Sequence, residues 1–441
     1  MSLSTPLKVE KLQKALHAKA KGEAEFRFHQ LYDKVYRSDV LMFAYRVSRR
    51  NGGAPGVDGE TFDQIESRGL EAWLDELTKE LREKTYRSAA VRRVWIDKGN
   101  GKQRPLGIPT IRDRVAQTAV VLVLEPIFEA DLQPEQYAYR ANRSAHDAVR
   151  HVHKLVSRGY GEVVDADLSG YFDSIPHAEL MRSVARRVSD RHLLALIKQW
   201  LVVAVEEDDE QGRKRRTTRA KDEKRGVPQG APISPLLSNL YMRRFLLGWK
   251  ALGHQQRLAA YIVNYADDFV ICCRGTATAA MQVMRGMMRQ LKLAVNEEKT
   301  SLRRIPAESI DFLGYTIGRC HSTQTGRAYV GTRPSRKSIQ RITERISALT
   351  ARRMFLVDAE VLVERLNRLL TGWGNYFCLG PVSKAYGAVD AHTRHRLRQW
   401  LCGKHKLGGQ GTSRYPDEYL YETLELVRLA QRTRNLPWAK A

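Results

Sequence analysis

The chain has 441 residues, of which 28% are charged, and its formal net charge is +25. A chain of this length can form two or three domains, and it contains neither a segment apolar enough to cross a bilayer nor the apolar stretch of a secretory signal. We therefore expect a cytoplasmic protein without a membrane partner, associated with the nucleoid if it is bacterial. Such an excess of Lys and Arg is typical of proteins that neutralise phosphates, which indicates a nucleic-acid partner but no particular activity.

The cysteine spacing fits neither a disulfide framework nor a zinc site. We expect reduced, mostly buried thiols at Cys272, Cys273, Cys320, Cys378 and Cys402.

Apolar residues three and four apart predict helices from residue 11 to 50 and from 62 to 85. Between them, residues 51–59 contain four glycines and a proline, which cannot continue a helix. These residues alone favour a plain connecting loop.

Residues 91–96 alternate like a strand, and residues 98–104 read as a basic hairpin turn. Glycines in the turn allow the backbone to approach a phosphate, while Lys98 and Arg104 provide charge. A solvated β-turn has the same composition, so both interpretations stay open.

Residues 111–128 predict a long helix with a Val- and Leu-rich buried side. Residues 137–146 then mix aromatic and basic side chains, as expected of a surface that stacks bases and binds phosphates. Ser144 can also cap the helix that follows, and both interpretations can hold.

Residues 163–168 predict a strand in which Asp165 and Asp167 point to the same face, because side chains alternate along a strand. Residues 169–177 turn away from it into a helix. Either aspartate is a candidate metal ligand, and a polar strand end is the alternative.

The highly charged residues 206–225 favour a solvated loop. Residues 226–239 are more specific, because Gly and Pro predict a rigid turn and Pro235 suits the first position of a helix. Such a turn would present Gln229 to a nucleotide or a template base.

Apolar runs flank Asp267 and Asp268 in residues 261–273, which predicts a hairpin with both acids at its turn. Two neighbouring carboxylates are costly without a cation, and their oxygens suit Mg²⁺. A two-ion site needs a third carboxylate, which the strand at 163–168 can supply. An ordinary Asp-rich turn is the alternative.

Residues 278–291 predict a Met-rich core helix, and residues 293–300 and 310–317 predict two more strands of the same sheet. From about residue 335 the chain becomes basic and helical, with aromatic residues at 371–377. We expect this region to clamp a duplex by its backbone.

Taken together, these motifs resemble, in order and from about residue 26 to 400, the group II intron-encoded reverse transcriptases, also called maturases. The segments that carry the resemblance are 51–59, 98–114, 167–173, 226–239, 265–268 and 366–377. The resemblance implies an α+β right-hand fold of fingers, palm and thumb. Its expected domains are a helical N-terminal extension (1–85), fingers and palm (86–325), a helical thumb or X domain (326–400) and a basic C-terminal tail (401–441).

The same resemblance implies residue roles. Asp167, Asp267 and Asp268, together with Leu168, would hold two Mg²⁺ ions, for which Mn²⁺ can substitute. Lys98 and Arg104 would contact the nucleotide triphosphate, Phe172 would be the steric gate against ribose, Gln229 would touch the nucleotide and Lys299 would donate a proton to pyrophosphate. Expected nucleic-acid contacts are Arg112, Arg140, Arg143, Tyr265, Gly314, Trp373 and Tyr376.

Some residues depart from the family pattern, among them Ala141 in place of a proline and Ala231 in place of a second glycine. They leave the metal ligands intact but put the choice of template and primer in doubt. The 41 residues after residue 400 leave no room for the HNH endonuclease of many relatives. We therefore expect priming from a nick or a fork strand made by other proteins.

The resemblance implies an RNA-directed DNA polymerase whose partners are an RNA template, intron RNA, DNA primer and target DNA, and dNTPs. One alternative is a free-standing relative that acts in host DNA repair or defence. Another is a splicing factor with a decayed polymerase site, against which the three intact aspartates argue. A basic structural RNA-binding protein would explain the charge but not the acidic sheet.

Overall fold

A computed structural model describes residues 3–97, 103–209, 211, 213–322, 324–409 and 411–433. Its first elements are the helices α1 (Leu7–Gly22), α2 (Tyr32–Val35), α3 (Ser38–Asn51) and α4 (Phe62–Glu83). The last of these begins with a capping box in which the Thr61 hydroxyl accepts from the Gln64 N–H and the Gln64 side chain accepts from the Thr61 N–H. The predicted helices on either side of the 51–59 loop are confirmed, although the first is divided into three.

The middle of the chain alternates strands and helices. In order, these are β1 (Val91–Asp97), β2 (Gln103–Ile108), α5 (Ile111–Glu129), α6 (Ala145–Ser157), β3 (Glu162–Ala166), α7 (Tyr171–Ser174), α8 (His177–Ala185), α9 (Arg191–Leu201), β4 (Val205–Asp208), β5 (Lys214–Thr217), α10 (Arg219–Glu223), α11 (Ser234–Ala251), α12 (His254–Arg257), β6 (Ala260–Tyr265), β7 (Asp268–Cys273), α13 (Ala277–Gln290) and β8 (Ser301–Arg304).

The last third contains a small sheet and a group of helices. Its elements are β9 (Ile310–Phe312), β10 (Tyr315–His321), β11 (Ala328–Pro334), α14 (Arg336–Leu349), α15 (Ala359–Tyr376), α16 (Ser383–Lys404) and α17 (Leu429–Arg432). None of the helices described in these ranges is long and apolar enough to span a membrane.

The first sheet has the strand order β2-β1-β4-β5. The prediction that residues 206–225 form a solvated loop was wrong, because they contribute β4, β5 and α10. The acidic residues of β4 stand directly opposite basic residues of β5, with Glu206 paired to Arg216 and Glu207 to Arg215 in the register. Opposite charges across two strands favour pairing, which sequence periodicity does not reveal.

The central sheet has the order β6-β7-β3-β8, and its neighbouring strands are antiparallel. The large core beneath it includes α5, α11 and α13, and the Met-rich helix is confirmed as core, with Met281, Met284, Met287 and Met288 all buried. The predicted strand at 293–300 was wrong. That segment touches the sheet through a single bridge between Leu168 and Val295, and the strand that pairs with β3 is β8.

Residues 310–317 also differ from the prediction, because they do not extend the central sheet. Leu313 and Gly314, both with positive φ, form a turn that divides the segment into β9 and β10 of a separate sheet with the order β11-β10-β9. This small sheet packs between α6 and the residues that follow α15.

A C-terminal bundle of α14–α17 has its own hydrophobic core. The expected boundary at residue 326 falls in the turn between β10 and β11, and the one at residue 400 falls inside α16. Residues 401–433 are not a tail in their described part, because Tyr415, Leu420 and Leu429 are buried in that core. Burial of apolar side chains outweighs the basic composition that predicted a tail. Residues 434–441 lie outside the described residues.

Candidate active site

The three predicted metal ligands meet at one end of the central sheet. The β3–β7 register pairs Asp165 with Val270 and Ala166 with Phe269, so one further step brings Asp167 opposite Asp268. Tyr265 pairs with Asp268, which leaves a two-residue turn of Ala266 and Asp267. Of the acidic pair predicted at the turn, only Asp267 lies in it, and Asp268 is the first residue of β7.

Burial, followed by repulsion between carboxylates, raises the pKa values of Asp268 and Asp165. Asp268 is an exposed residue, but surrounding protein and then repulsion from Asp267 and Asp167 raise the pKa of its carboxyl group to about 7. Burial likewise raises the pKa of Asp165 to about 6. Binding of a hard cation such as Mg²⁺ reduces the repulsion between neighbouring carboxylate oxygens, which are the ligands that it prefers. The chemistry of the residues therefore fits the ion.

The side chains are not arranged as a preformed metal site. Among the described residues, no three acidic, imidazole or thiol groups are gathered into a ready-made metal cluster. Asp167 Oδ2 instead accepts hydrogen bonds from Lys299 Nζ at 3.1 Å and from Asn296 Nδ2 at 3.0 Å. The ammonium group partly neutralises the carboxylate that a cation would otherwise share.

The β3–β8 register explains the position of Lys299. Because Asp165 pairs with Ser301, two further residues along each chain direction of this antiparallel pair lead to Asp167 and Lys299. Asn296 was missed by the sequence reasoning, although its backbone N–H also donates to the Asp167 carbonyl at 2.9 Å. Nothing in the local pattern distinguished it from the other polar residues of 293–300.

A cavity of about 620 Å³ brings together predicted nucleotide contacts, and Tyr139 in its wall lies near Asp267. Arg104, Phe172 and Gln229 all line it. Lys98, the other predicted triphosphate contact, lies outside the described residues. Asn51 to Ala54 also line the cavity, so the glycine-rich loop is part of its wall as well as a connector.

Tyr139 is a cavity residue that the prediction did not include. Its backbone has a φ of +56°, and the side chain is 52% exposed. Burial and the nearby Asp267 carboxylate raise the pKa of its hydroxyl group. An aromatic side chain at this place can stack on a base, and the only sequence signal was the aromatic and basic composition of 137–146.

The turn that carries Gln229 links the short helix α7 to the first sheet. Val227 N–H donates to the Phe172 carbonyl at 2.8 Å, and Gly107 N–H in β2 donates to the Gln229 carbonyl at 2.6 Å. Gln229 Nε2 also donates to Asp173 Oδ2 at 3.3 Å. The predicted rigid turn before α11 is confirmed, and the buried Ala231 fits where a glycine was expected.

All three arginines expected to contact nucleic acid make contacts within the protein, although to different extents. The predicted nucleic-acid contact of Arg140 needs correction, because the side chain is only 5% exposed and forms a bidentate ion pair with Glu129. Arg112 pairs with Glu80 and keeps part of its side chain exposed. Arg143 is exposed and lies over the Tyr137 ring.

The remaining predicted contacts lie where the small sheet meets the bundle. Gly314 is a packing position rather than an open surface, since an added Cβ would be 3.1 Å from Ser338 Oγ and 3.2 Å from Phe377 Cζ. Tyr376 donates to the Leu313 carbonyl at 2.8 Å. Burial and then Tyr265 raise the pKa of Tyr376 to about 12, so these two tyrosines are neighbours.

Trp373 and Tyr376 also line a groove of about 420 Å³ in the bundle, together with Arg341, Arg345 and Arg368. Aromatic rings beside exposed arginines are suited to nucleic-acid binding.

Comparison with known families identifies the chain. Residues 96–317 match the reverse transcriptase (RNA-dependent DNA polymerase) family, and residues 339–415 match the maturase-specific domain of group II introns. The chain is a group II intron-type reverse transcriptase/maturase. The family inferred from the motifs is thus confirmed.

Similar proteins include both bacterial and yeast proteins. Protein YkfC of Escherichia coli (strain K12) is 34% identical over 75% of this chain and 93% of its own length. Group II intron-encoded protein LtrA of Lactococcus lactis subsp. cremoris is 26% identical over 66% of this chain and 57% of its own length. The putative COX1/OXI3 intron 1 protein of Saccharomyces cerevisiae is 26% identical over 63% of this chain and 38% of its own length. The chain thus spans little more than half of LtrA.

Proposed function

We propose that this protein is an RNA-directed DNA polymerase that extends a DNA primer on an RNA template with dNTPs. The observation that best supports the proposal is the register of the central sheet, which brings Asp167 opposite Asp268 and next to Asp267. Asp267 lies near Tyr139, which lines a cavity together with Arg104, Phe172 and Gln229. In this proposal the first sheet is the fingers, the central sheet is the palm and the C-terminal bundle is the thumb.

Asp167, Asp267 and Asp268 would hold Mg²⁺. Leu168 has a buried apolar side chain, so only its carbonyl oxygen can contribute. When bound, two such ions supply charge neutralisation at the primer 3′ hydroxyl and at the leaving pyrophosphate.

Side chains around the cavity bind and orient the nucleotide. Arg104 binds the triphosphate, and the Phe172 ring excludes a ribose 2′-hydroxyl. Gln229, held by Asp173 at 3.3 Å, contacts the nucleotide from the other side. Lys299 donates a proton to the leaving pyrophosphate once its ammonium group has left Asp167.

The C-terminal bundle binds intron RNA and the template–primer duplex in this proposal. Its groove combines Arg341, Arg345 and Arg368 with Trp373. Guanidinium groups bind phosphates irrespective of sequence, and the aromatic ring stacks on a base or a sugar.

Primer extension on matched RNA and DNA templates, with Mg²⁺ and dNTPs, tests the polymerase proposal. We expect extension on RNA by the unaltered protein and none by Asp267→Ala. Asp311→Ala is the matched control, because Asp311 is an exposed carboxylate on β9 outside the three acids, and its activity should persist. Absence of extension by the unaltered protein, with salt-sensitive RNA binding retained, would leave a splicing factor without polymerase activity.

The role of Phe172 has its own test. Phe172→Ala should incorporate ribonucleotides at least tenfold more readily relative to dNTPs, since removal of a steric block of about 1.4 kcal/mol corresponds to that factor. An unchanged preference for dNTPs over ribonucleotides would show that Phe172 does not act as the steric gate.

A further inference from the structure

A second groove of about 490 Å³ lies along the first sheet, and it shares Pro105, Gly107 and Gln229 with the lining of the nucleotide cavity. Alternate residues of its strands form one wall, among them Arg93 and Trp95 of β1, Glu207 of β4 and Arg215 of β5. The opposite wall is α10 and the turn that follows it, with Arg219 and Arg225. This groove exists because residues 206–225 add two strands and a helix to the sheet.

The groove combines an aromatic platform with cations. Trp95 is 51% exposed, which is unusual for so large an apolar side chain unless something covers it. Arg215, Arg219 and Arg225 are exposed along the groove. This combination is typical of sites that stack a base and hold the adjoining phosphates.

Two polar atoms of the groove residues lack internal partners. Arg93 Nε and Glu207 Oε2 are buried, and neither forms a hydrogen bond within the described part of the chain. Each such group is costly unless something satisfies it. Arg93 can donate to an oxygen of a ligand, and Glu207 can accept from a hydroxyl or amine group.

The charge of the segment favours an anionic ligand. Residues 213–225 contain eight Lys and Arg residues against two acidic ones, and most of their side chains are exposed. Glu223 is already paired with Arg219 at 2.7 Å. The four acidic residues of 206–209 reduce this surplus, but three of them lie on the inner of the two added strands and Asp209 is paired with Arg213, whereas the basic strand β5 is at the open edge of the sheet.

The inner end of the groove reaches the candidate active site. Asp173 and Gln229 line the groove, and Gln229 also lines the nucleotide cavity. A strand that lay in the groove would therefore pass the edge of the active site without filling it.

We propose that this outer groove binds single-stranded RNA. A base stacks on Trp95, phosphates contact Arg215 and Arg219, and a ribose 2′-hydroxyl donates to Glu207. A duplex would hide its bases from Trp95, and a DNA backbone has no sugar hydroxyl to satisfy the Glu207 carboxylate. The site goes beyond the proposed polymerase activity and does not require it.

Binding to the full chain tests the proposal directly. The probe is an unstructured, labelled RNA of about 12 nucleotides, measured by fluorescence anisotropy with an excess of blunt RNA–DNA duplex to fill the main cleft. Trp95→Ala should weaken binding about 5-fold to 100-fold, the range for loss of one stacked base, and Trp95→Phe should restore most of it. Arg289→Gln, an exposed arginine of α13 that does not line the groove, should leave binding unchanged.

Charge and sugar contacts give two further readouts. Arg215→Gln with Arg219→Gln should reduce the slope of log affinity against log salt by about 1.4, since each phosphate contact on a single strand contributes about 0.7. Glu207→Ala should weaken RNA binding while leaving the binding of the same DNA sequence unchanged. Groove variants that all behave like Arg289→Gln would overturn the proposal.

The RNA can be the unpaired template ahead of the primer or a separate molecule. A primer–template with a long 5′ RNA overhang should bind more tightly than a blunt duplex if it is the template, and Trp95→Ala should abolish that gain. If overhang length has no effect, Trp95-dependent binding in trans identifies a separate RNA. Both measurements can use the Asp267→Ala protein, so loss of polymerase activity and loss of this site remain distinguishable.

Discussion

Asn296 holds Asp167 by two hydrogen bonds, one to the carbonyl oxygen at 2.9 Å and one to carboxylate Oδ2 at 3.0 Å. Lys299 donates to the same carboxylate oxygen at 3.1 Å. The amide is neutral, so it can keep its bond when a cation replaces the ammonium group. Asn296 is therefore suited to fix the orientation of Asp167, while Lys299 is free to leave.

Asn296→Ala should lower kcat by about tenfold or more, because a hydrogen bond to a charged group contributes about 1.5–3 kcal/mol. It should raise the Mg²⁺ concentration needed for half-maximal activity and weaken Mn²⁺ binding in calorimetry, with little change in KM for dNTPs. Glu297→Ala is the neighbouring control, since Glu297 pairs with Arg285 on the surface. An unaltered metal requirement in Asn296→Ala would contradict the positioning role.

Removal of one acid should change how the protein responds to Mg²⁺. In the unaltered protein, Mg²⁺ at about ten times its Kd should raise Tm by about 2–4 °C, because ligand binding to the folded state stabilises it. Asp267→Ala should lose most of this rise and have a slightly higher Tm without Mg²⁺, since repulsion on Asp268 is reduced. Differential scanning fluorimetry against NaCl of equal ionic strength measures both effects. Equal rises in the two proteins would mean that the ion binds elsewhere.

The turn before α11 depends on the close approach of Gly230 to β2. Gly230 has a φ of +104°, and a Cβ there would collide with the Gly107 carbonyl oxygen and lie 2.9 Å from Leu106 Cδ1. Gly230→Ala should destabilise the fold by about 2–4 kcal/mol and raise KM for dNTPs, because left-handed strain adds to overpacking and Gln229 shifts.

Gly275→Ala is the control for that substitution. Gly275 has a φ of +75° but open space around its Cα. In urea titration, Gly275→Ala should lower the free energy of unfolding only by the conformational cost of about 1–2 kcal/mol. In steady-state kinetics, its KM for dNTPs should be unchanged. Equal effects of the two substitutions would show that the contact with β2 does not matter.

Arg187 links the N-terminal helix α1 to the rest of the molecule. It is completely buried, forms an ion pair with Asp131 at 3.2 Å and donates to carbonyls after and within α1, at Ala20, Glu23, Ala24 and Phe26. Arg187→Met should cost about 3–5 kcal/mol in urea-induced unfolding, because it removes four hydrogen bonds to backbone carbonyls and the buried one of the two arginines paired with Asp131.

The neighbouring Arg186 makes a matched comparison. It pairs with the same Asp131 oxygen at 3.0 Å, but its side chain is 40% exposed. Arg186→Met should cost about 1 kcal/mol or less. Similar losses from both substitutions would mean that burial of Arg187 contributes little.

Asp190 gives the fold a pH dependence. Its carboxylate accepts from the N–H groups of Leu31, Tyr32, His192 and Leu193 at 2.8–3.2 Å. Burial alone would raise the pKa of Asp190, but these bonds outweigh burial and hold it below its usual value. A lowered pKa means stabilisation that is fully present above about pH 4 and is lost as the pH falls through the folded-state pKa.

Asp190→Asn should therefore destabilise the protein by about 1–2 kcal/mol at pH 7, with the difference from the unaltered protein shrinking below about pH 4. Denaturant titrations at several pH values measure it. Asp33→Asn, at an exposed carboxylate in α2, should show no such trend. A difference that stays constant down to pH 3 would rule out the carboxylate as its source.

Local patterns in the sequence determined much of this protein. Alternation of apolar residues located β1 and β3, helical periodicity located α5 and α13, and glycine with proline located the turn at Gln229. These features depend on neighbours in sequence, so a short window is enough to find them. The order of the motifs was enough to identify the family.

Tertiary structure alone decided which distant residues meet. Pairing of β4 with β1 turned a charged run into part of a sheet, and the Leu168–Val295 bridge brought Asn296 to Asp167. Arg140 was engaged by Glu129, and Leu420 was buried in the C-terminal bundle. Composition indicates that a side chain is charged or apolar, but its partner is set by the free energy of packing the whole chain, which no local pattern contains.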